Sequence, residues 1–458
     1  MKLEQKNIGI WGFGIVGKAA AQYLHNKCKR LEILDKRQLT CQEQDSLQQL
    51  GATWSQGDDH ETIKSFITRN HYIIVSPGVD TRAYGYVAHK FIAELDLFHS
   101  LYKKPIIAIT GSVGKTTITH LLGNILSFHN PRWWIGGNIG TGMLDVLKCQ
   151  DQTDGAIIEL SSFQLDQCKS FAPDLAIITN IYPNHLDRHG SFINYVQAKT
   201  KIFAHQQNKQ VALIPLALRS TLGLDKEIAS TVHFFCPTKP DHASLQQLTS
   251  TNILFYYDNG NVMAYKDSAS IMIVEEKNLP SISFSENWLI ICAVLFLCQK
   301  SCDNINEIVS HIALPEHRLE HVSTIDGIDF YNDSKGTTTA ATLAAINKLK
   351  NRPIILMLGG IGKGVDRTDF IKQIKGDVKA IVCFGNERET LAKACKTNEI
   401  PFAMTETLDA ALDASLKLAN RGEQIVLSPA GSSFDQFKNY QERGDHFKKC
   451  IGLLRSKK

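Results

Sequence analysis

No stretch of this chain is apolar for long enough to span a membrane. The longest such run, Leu289 to Cys298, is about half of the ~20 residues that a crossing helix needs, and it reads as a buried helix. Cysteine pairing is missing too. The eleven cysteines are scattered, with no C-x-x-C pair and no metal-ligand spacing with histidine, so no metal site is assigned to them and they fit a reducing cytosol. A strong charge of either sign is absent: the formal net charge is +4, too small and too dispersed for a nucleic-acid face but suited to small anionic ligands. Repeats and low-complexity tracts are absent. The N-terminal Met1-Lys2-Leu3-Glu4-Gln5-Lys6 puts charged and polar residues where an export signal would be apolar, so a cytoplasmic location without membrane attachment is expected.

What is present is enough hydrophobic material, 43% of 458 residues, for two or three packed domains. Apolar runs alternate with helical patterns along most of the chain, which predicts βαβ units and parallel sheets, an α/β fold. Expected strands include Asn7–Trp11, Leu31–Leu34, Tyr72–Ser76, Ile106–Thr110, Ala156–Leu160, Leu175–Thr179, Asp329–Tyr331, Ile354–Leu358, Ala380–Phe384 and Gln424–Leu427, and expected helices include Val16–His25 and Tyr195–Phe203. Pro105 and Pro315 place boundaries near 104 and 315, giving domains 1–104, 105–315 and 316–458. Residues 216–284 show only weak alternation, at Ile253–Tyr257 and Ile271–Val274.

The sharpest motif is Gly111-Ser112-Val113-Gly114-Lys115-Thr116-Thr117, after an apolar strand and before a helical pattern. Backbone amides and the helix N-terminus there can cradle phosphates, Lys115 can reach the terminal phosphates, and the Thr116 hydroxyl can bind Mg²⁺, which implies ATP or GTP. Ile109 stands where the full eight-residue form has its first glycine. A second loop, Gly12-Phe13-Gly14-Ile15-Val16-Gly17, precedes Asp35-Lys36-Arg37. Its glycines would admit a diphosphate and Asp35 could hold a ribose hydroxyl, so either a nicotinamide cofactor or a nucleotide-diphosphate substrate fits it. Glu159 lies at the end of one expected strand and His185 beyond the end of another, as the phosphate loop does, so a carboxylate and an imidazole are expected to converge on the nucleotide's metal ion.

Further runs complete a pattern: Gly136-Gly137-Asn138-Ile139-Gly140, Ser161-Ser162-Phe163-Gln164-Leu165, Glu316-His317-Arg318-Leu319-Glu320, Asn332-Asp333-Ser334-Lys335-Gly336-Thr337, and Leu427 to Lys438. Together they resemble the Mur ligases over nearly the whole chain. The Ser-Ser-Phe-Gln and Ser-Phe-Asp-Gln-Phe-Lys runs look like the D-glutamate-adding branch, and there is no Asp-Asn-Pro-Arg-like motif of the diaminopimelate or lysine adders.

The resemblance implies three domains: a Rossmann-like N-terminal domain for the UDP substrate, a central P-loop domain for ATP and two Mg²⁺, and a C-terminal Rossmann-like domain for the amino acid. It implies that Gly14, Ile15, Val16, Asp35, Lys36 and Arg37 contact the uridine nucleotide, with Asn138 and Gln164 near the muramoyl end. Gly111, Ser112, Gly114, Lys115, Thr116, Thr117, Asn287, Arg318 and Asp333 would hold ATP. Thr116, Glu159, His185 and a carbamylated Lys199 would serve the metals, and Lys335, Thr337, Lys363, Ser433 and Tyr440 would receive D-glutamate. Lys115, His185, Lys199 and Lys335 are the residues expected to act in catalysis, in a monomer whose partners are UDP-muramoyl-L-alanine and D-glutamate. Three positions depart from the family pattern: Val113 and Ile290 replace asparagines, and Pro215-Leu216-Ala217-Leu218 replaces an Asn-x-Asp-Asp stretch. Folylpolyglutamate synthases share the Gly-Lys-Thr loop but lack the first domain, and a noncatalytic paralogue would keep the loops without the turnover.

Overall fold

A computed structural model describes residues 3–128, 132–219, 229–280, 284–312, 315–362 and 366–456. Three sheets follow one another along the chain. The first holds β1 (Asn7–Trp11), β2 (Arg30–Asp35), β3 (Thr53–Gln56), β4 (Tyr72–Val75) and β5 (Phe91–Ala93) in the order β3-β2-β1-β4-β5. All its pairings are parallel. This order reverses at β1, and the crevice at that reversal is where doubly wound sheets bind nucleotides.

The second sheet is built from β6 (Ile106–Thr110), β7 (Trp133–Gly137), β8 (Gly155–Glu159), β9 (Leu175–Ile178), β10 (Val211–Pro215), β11 (Thr231–Cys236), β12 (Leu254–Asp258), β13 (Asn261–Lys266) and β14 (Ala269–Glu275). Its order is β14-β13-β12-β11-β10-β9-β6-β8-β7. Every residue of β6 and β8 is buried, as expected of β-branched strands covered on both faces. Helix Ser285–Leu297 is buried from Asn287 through Leu295 and shares one core with helix Lys115–Phe128. This is the expected buried helix, and among the described residues no helix is long and apolar enough to cross a membrane.

The third sheet comprises β15 (Glu320–Ile325), β16 (Ile328–Asn332), β17 (Ile354–Gly359), β18 (Ala380–Phe384), β19 (Phe402–Met404) and β20 (Gln424–Ala430), ordered β15-β16-β20-β17-β18-β19. All seven residues of β20 are buried, and only the β15–β16 pairing is antiparallel.

Two expectations shift. The helix expected at Tyr195–Phe203 runs Phe192–Thr200, its start masked in the sequence by the polar turn before it. The weakly patterned region holds four strands, the last three closing the sheet edge with antiparallel pairings; in β14 the run Ile271–Val274 stays exposed or half-exposed, so its apolar residues do not alternate with polar ones as a half-buried strand's would. By compactness the chain divides into one unit of residues 1–181 with 196–312 and another of 182–195 with 313–458.

Candidate active site

In the first unit the β1 turn opens onto a cavity of about 720 Å³. All eight residues assigned to the uridine substrate line it: Gly14, Ile15, Val16, Asp35, Lys36, Arg37, Asn138 and Gln164. Gly14 caps the helix Ile15–Leu24 without a side-chain hydrogen bond, and a Cβ placed there would meet no protein atom within 4 Å. The space beside the start of that helix, its positive dipole end, is therefore open and belongs to the cavity that Gly14, Ile15 and Val16 line, a setting that suits an anion.

Asp35 does more structural work than its motif suggests. Its Oδ2 accepts from the Phe13 amide at 2.6 Å and its Oδ1 from the Arg37 amide at 2.9 Å. Arg37 in turn binds Glu43 at 2.7 and 2.9 Å and donates to the Phe13 carbonyl at 3.0 Å. Those bonds from Arg37 are the main cause that holds the Glu43 carboxyl far below the usual range. Gln164 is likewise engaged, its Oε1 accepting from the amide and hydroxyl of Ser161 at 2.9 Å in a capping box.

The phosphate loop joins β6 to helix Lys115–Phe128, with Gly111 at φ 149° and Gly114 at φ 89°. The Thr116 hydroxyl donates to Glu159 Oε2, and the Asn138 amide donates to Glu159 Oε1 at 3.1 Å. Glu159 is 2% exposed, and each of its two carboxyl oxygens accepts from a neutral donor. Lys115 Nζ folds back onto the carbonyls of Gly111 and Ser112 at 2.8 and 3.1 Å. Lys199 is buried and donates to the same Gly111 carbonyl at 2.8 Å and to Thr110 Oγ1 at 3.3 Å. Its pKa is driven well down, first by burial and then by the Lys115 cation, against the opposing pull of Glu159. Burial thus favours its neutral form over the ammonium.

Asn180, in the run Thr179-Asn180-Ile181 after β9, had no role assigned from the sequence, and it holds the phosphate loop. Its Oδ1 accepts from the amides of Ser112 at 3.2 Å and Val113 at 2.8 Å, while its Nδ2 donates to the Val113 carbonyl at 3.1 Å. Thr179 Oγ1 donates to the same carbonyl at 2.7 Å. The backbone around Val113 is therefore held from β9's end and does not depend on a polar side chain at that position. Ile290 is a core residue at 1% exposure, where burial rather than ligand contact explains the apolar side chain. Asn287 packs onto the loop, its Oδ1 lying where a Cβ on Gly114 would stand. Thr117 sits in the first turn of the loop's helix. Strand β10 ends at Pro215 and runs into the short turn Leu216–Leu218.

The second unit carries the remaining candidates. His185 lies beyond β9 at the start of the short helix Leu186–His189, in the left-handed region at φ 55°. His317 and Leu319 also have positive φ, 63° and 47°, so Arg318 is presented between two backbone positions that cost energy and tend to mark functional turns. Asp333, buried at the end of β16, accepts from the Leu319 amide at 3.2 Å and from Ser428 Oγ at 2.6 Å. Burial lifts its pKa to about 7, against the Ser428 hydrogen bond and the charges of Arg318 and Arg443.

Lys335 Nζ stands 5.0 Å over the Tyr440 ring, and the Thr337 amide donates to the Lys335 carbonyl at 2.9 Å. Ser433 is buried, with its carbonyl accepting from Phe437 at 2.8 Å. Arg443, at 1% exposure, ties these runs together. It donates to Ser334 Oγ at 3.0 Å, the Ser334 carbonyl at 2.8 Å and the Gly431 carbonyl at 3.1 Å, while Ser334 Oγ donates to the Tyr440 carbonyl at 2.8 Å. Nothing in residue spacing announced it. Lys363 lies outside the described residues.

Comparison with known proteins gives a consistent set of likenesses. The family model described as Mur ligase middle domain matches residues 109–278, and the one described as Mur ligase, glutamate ligase domain matches residues 317–431. A UDP-N-acetylmuramoylalanine--D-glutamate ligase from Caldanaerobacter subterraneus subsp. tengcongensis is 30% identical, covering 99% of this chain and 100% of its own. The enzyme of the same name from Acidobacterium capsulatum is 34% identical over 98% of this chain and 97% of its own. Among solved structures, a MurF ligase from Thermotoga maritima in complex with ADP superposes with a TM-score of 0.56 at 15% identity, covering 86% of this chain and 92% of that one.

Proposed function

The chain belongs to the Mur ligase family, and from that membership we propose that it joins D-glutamate to UDP-N-acetylmuramoyl-L-alanine, with ATP cleaved to ADP and phosphate, in the synthesis of peptidoglycan precursors. One residue carries the reading. Asn138 lines the 720 Å³ cavity and also donates to Glu159 beside the phosphate loop. A substrate seated in the cavity would thereby bring its free carboxylate to the terminal phosphate. Residues 1–104 are the UDP-substrate domain in this reading, 105–315 the ATPase domain and 316–458 the amino-acid domain, in a monomer working in the cytoplasm.

A carboxylate is a poor electrophile, so its oxygen attacks the γ-phosphorus and ADP leaves. The resulting acyl phosphate is opened by the D-glutamate amine, with phosphate departing and a proton released from nitrogen. Crowded negative charge makes electrostatics and positioning the main demand on the protein. Lys115 and the loop amides meet the phosphates. Thr116 and Glu159 form a hard oxygen donor set that fits Mg²⁺, and Mg²⁺ bound there would neutralise phosphate charge. His185 and a carbamylated Lys199 complete the metal set: a neutral buried amine can add CO2, forming an N–C bond and losing a proton, which converts it to an anion. Asn287, Arg318 and Asp333 serve ATP. Lys335, Thr337, Lys363, Ser433 and Tyr440 receive the incoming amino acid.

The test is ADP release from the purified chain with UDP-N-acetylmuramoyl-L-alanine and a panel of amino acids. Turnover is expected with D-glutamate; release of AMP and pyrophosphate, or turnover with another amino acid alone, would overturn the assignment.

A further inference from the structure

Two clusters of potential metal ligands lie in the second unit, and they differ in an instructive way. In the first, Glu316, His317 and Asp445 approach one another, but Lys448 already supplies a cation, lying 3.1 Å from Glu316 and 3.5 Å from Asp445. In the second, Asp409, His446 and Cys450 converge, and among the described residues no lysine or arginine forms an ion pair with Asp409. His446 and Cys450 stand one turn apart on helix Tyr440–Ser456, so both side chains project from one face. Asp409 comes from the first turn of helix Leu408–Leu418, and Asp413, one turn further along, acts electrostatically on the Cys450 thiol.

The contacts share a single nitrogen. His446 Nε2 lies 2.6 Å from Asp409 Oδ1 and 3.6 Å from Cys450 Sγ, and Sγ lies 3.2 Å from Oδ1. A nucleophilic relay would place thiol and carboxylate on opposite ring nitrogens. Three different donors on one triangle instead describe the face of a coordination sphere. Zinc bonds of about 2.0–2.3 Å at tetrahedral angles separate ligand atoms by about 3.4–3.6 Å. The sulfur–nitrogen edge already has that length; the sulfur–oxygen edge needs a few tenths of an ångström more and the nitrogen–oxygen edge, now closed by a hydrogen bond, about 0.8 Å, which a turn of the exposed Asp409 side chain can supply.

We propose that Asp409, His446 and Cys450 form a zinc site, with its fourth position open to solvent. The thiolate and imidazole select a borderline-soft cation over Mg²⁺ or Ca²⁺, which prefer oxygen alone. Its role is to rivet the helix that carries Tyr440 and Arg443 to helix Leu408–Leu418. The expectation that no cysteine has a metal-ligand spacing with histidine overlooked His446 and Cys450, which stand four residues apart and so meet on one helix face.

The full-length chain, stripped with a chelator and titrated with Co²⁺, tests this. We expect a thiolate-to-cobalt charge-transfer band with the visible spectrum of a four-coordinate ion, bleached by one equivalent of Zn²⁺. Oxygen-ligated Co²⁺ at the phosphate loop gives no such band. Cys450→Ser and His446→Ala should each lose it while melting, metal-free, at the temperature of the metal-free parent; Cys41→Ser, which removes an exposed thiol elsewhere, should keep it. A missing band in the parent, or a band that survives Cys450→Ser, overturns the site.

Discussion

Asn287 and Gly114 fit together only because the glycine has no side chain: a Cβ there would stand 2.6 Å from Asn287 Oδ1. Gly114 also holds φ at 89°, where a side chain costs about 1–2 kcal/mol. Gly114→Ala should therefore raise the KM for ATP by about five- to thirtyfold if that strain is taken from binding. Adding Asn287→Ala to Gly114→Ala should relieve the clash and recover thermal stability while leaving the backbone strain. Simple additivity of the two substitutions would show that the contact carries no coupling.

Glu159 accepts from Thr116 and Asn138 at once. Glu159→Gln keeps the volume but removes the charge and turns a donor toward one of two donors. ADP release should fall by about a hundredfold or more, the scale of losing one preorganised electrostatic group. A kcat within a few-fold of the parent would take Glu159 out of the metal set.

Lys199→Ala should reduce turnover to background, and bicarbonate should not restore it. The parent enzyme, depleted of CO2, should lose rate and regain it when bicarbonate is returned. Near-normal turnover by the alanine variant would remove Lys199 from the mechanism.

The buried ring of His233 accepts the Ile253 amide on Nδ1 at 3.1 Å, and burial depresses its pKa to about 4. The ring is neutral when folded, whereas the unfolded chain binds a proton from about pH 6.5 downward. Stability is then complete above about pH 6.5 and falls as pH drops toward 4, by about 3 kcal/mol over the window. Denaturation midpoints across that range should show the slope in the parent and a flatter profile in His233→Gln; equal slopes would contradict it.

Arg443→Ala should lower the melting temperature and raise the KM for D-glutamate while sparing that for ATP, since the carbonyls of Ser334 and Gly431 lose charge-assisted donors worth about 1.5–3 kcal/mol each. An unchanged KM for the amino acid would confine Arg443 to stability.

The interior strands could be read in advance because burial on both faces writes an unbroken apolar run, as in Ile106–Thr110 and Ile354–Gly359. Edge strands such as Thr53–Gln56 and Phe402–Met404 bury little and leave no such trace. Candidate ligand residues stood out where they cluster in one loop, as from Gly111 to Thr117. Their supports did not: Asn180 and Arg443 each hold loops from elsewhere in the chain through several hydrogen bonds to backbone groups, which have no period or spacing. Asp35 shows a third case, in which the residue was visible but its bonds to Phe13 and Arg37 were not.

Asn138 is shared between the cavity wall and the Glu159 carboxylate. Any rearrangement of that carboxylate on filling of the phosphate loop must be felt by the cavity's occupant, and the reverse holds to the same degree. The two affinities are then bound by a single thermodynamic cycle, in which each ligand changes the other's dissociation constant by one common factor.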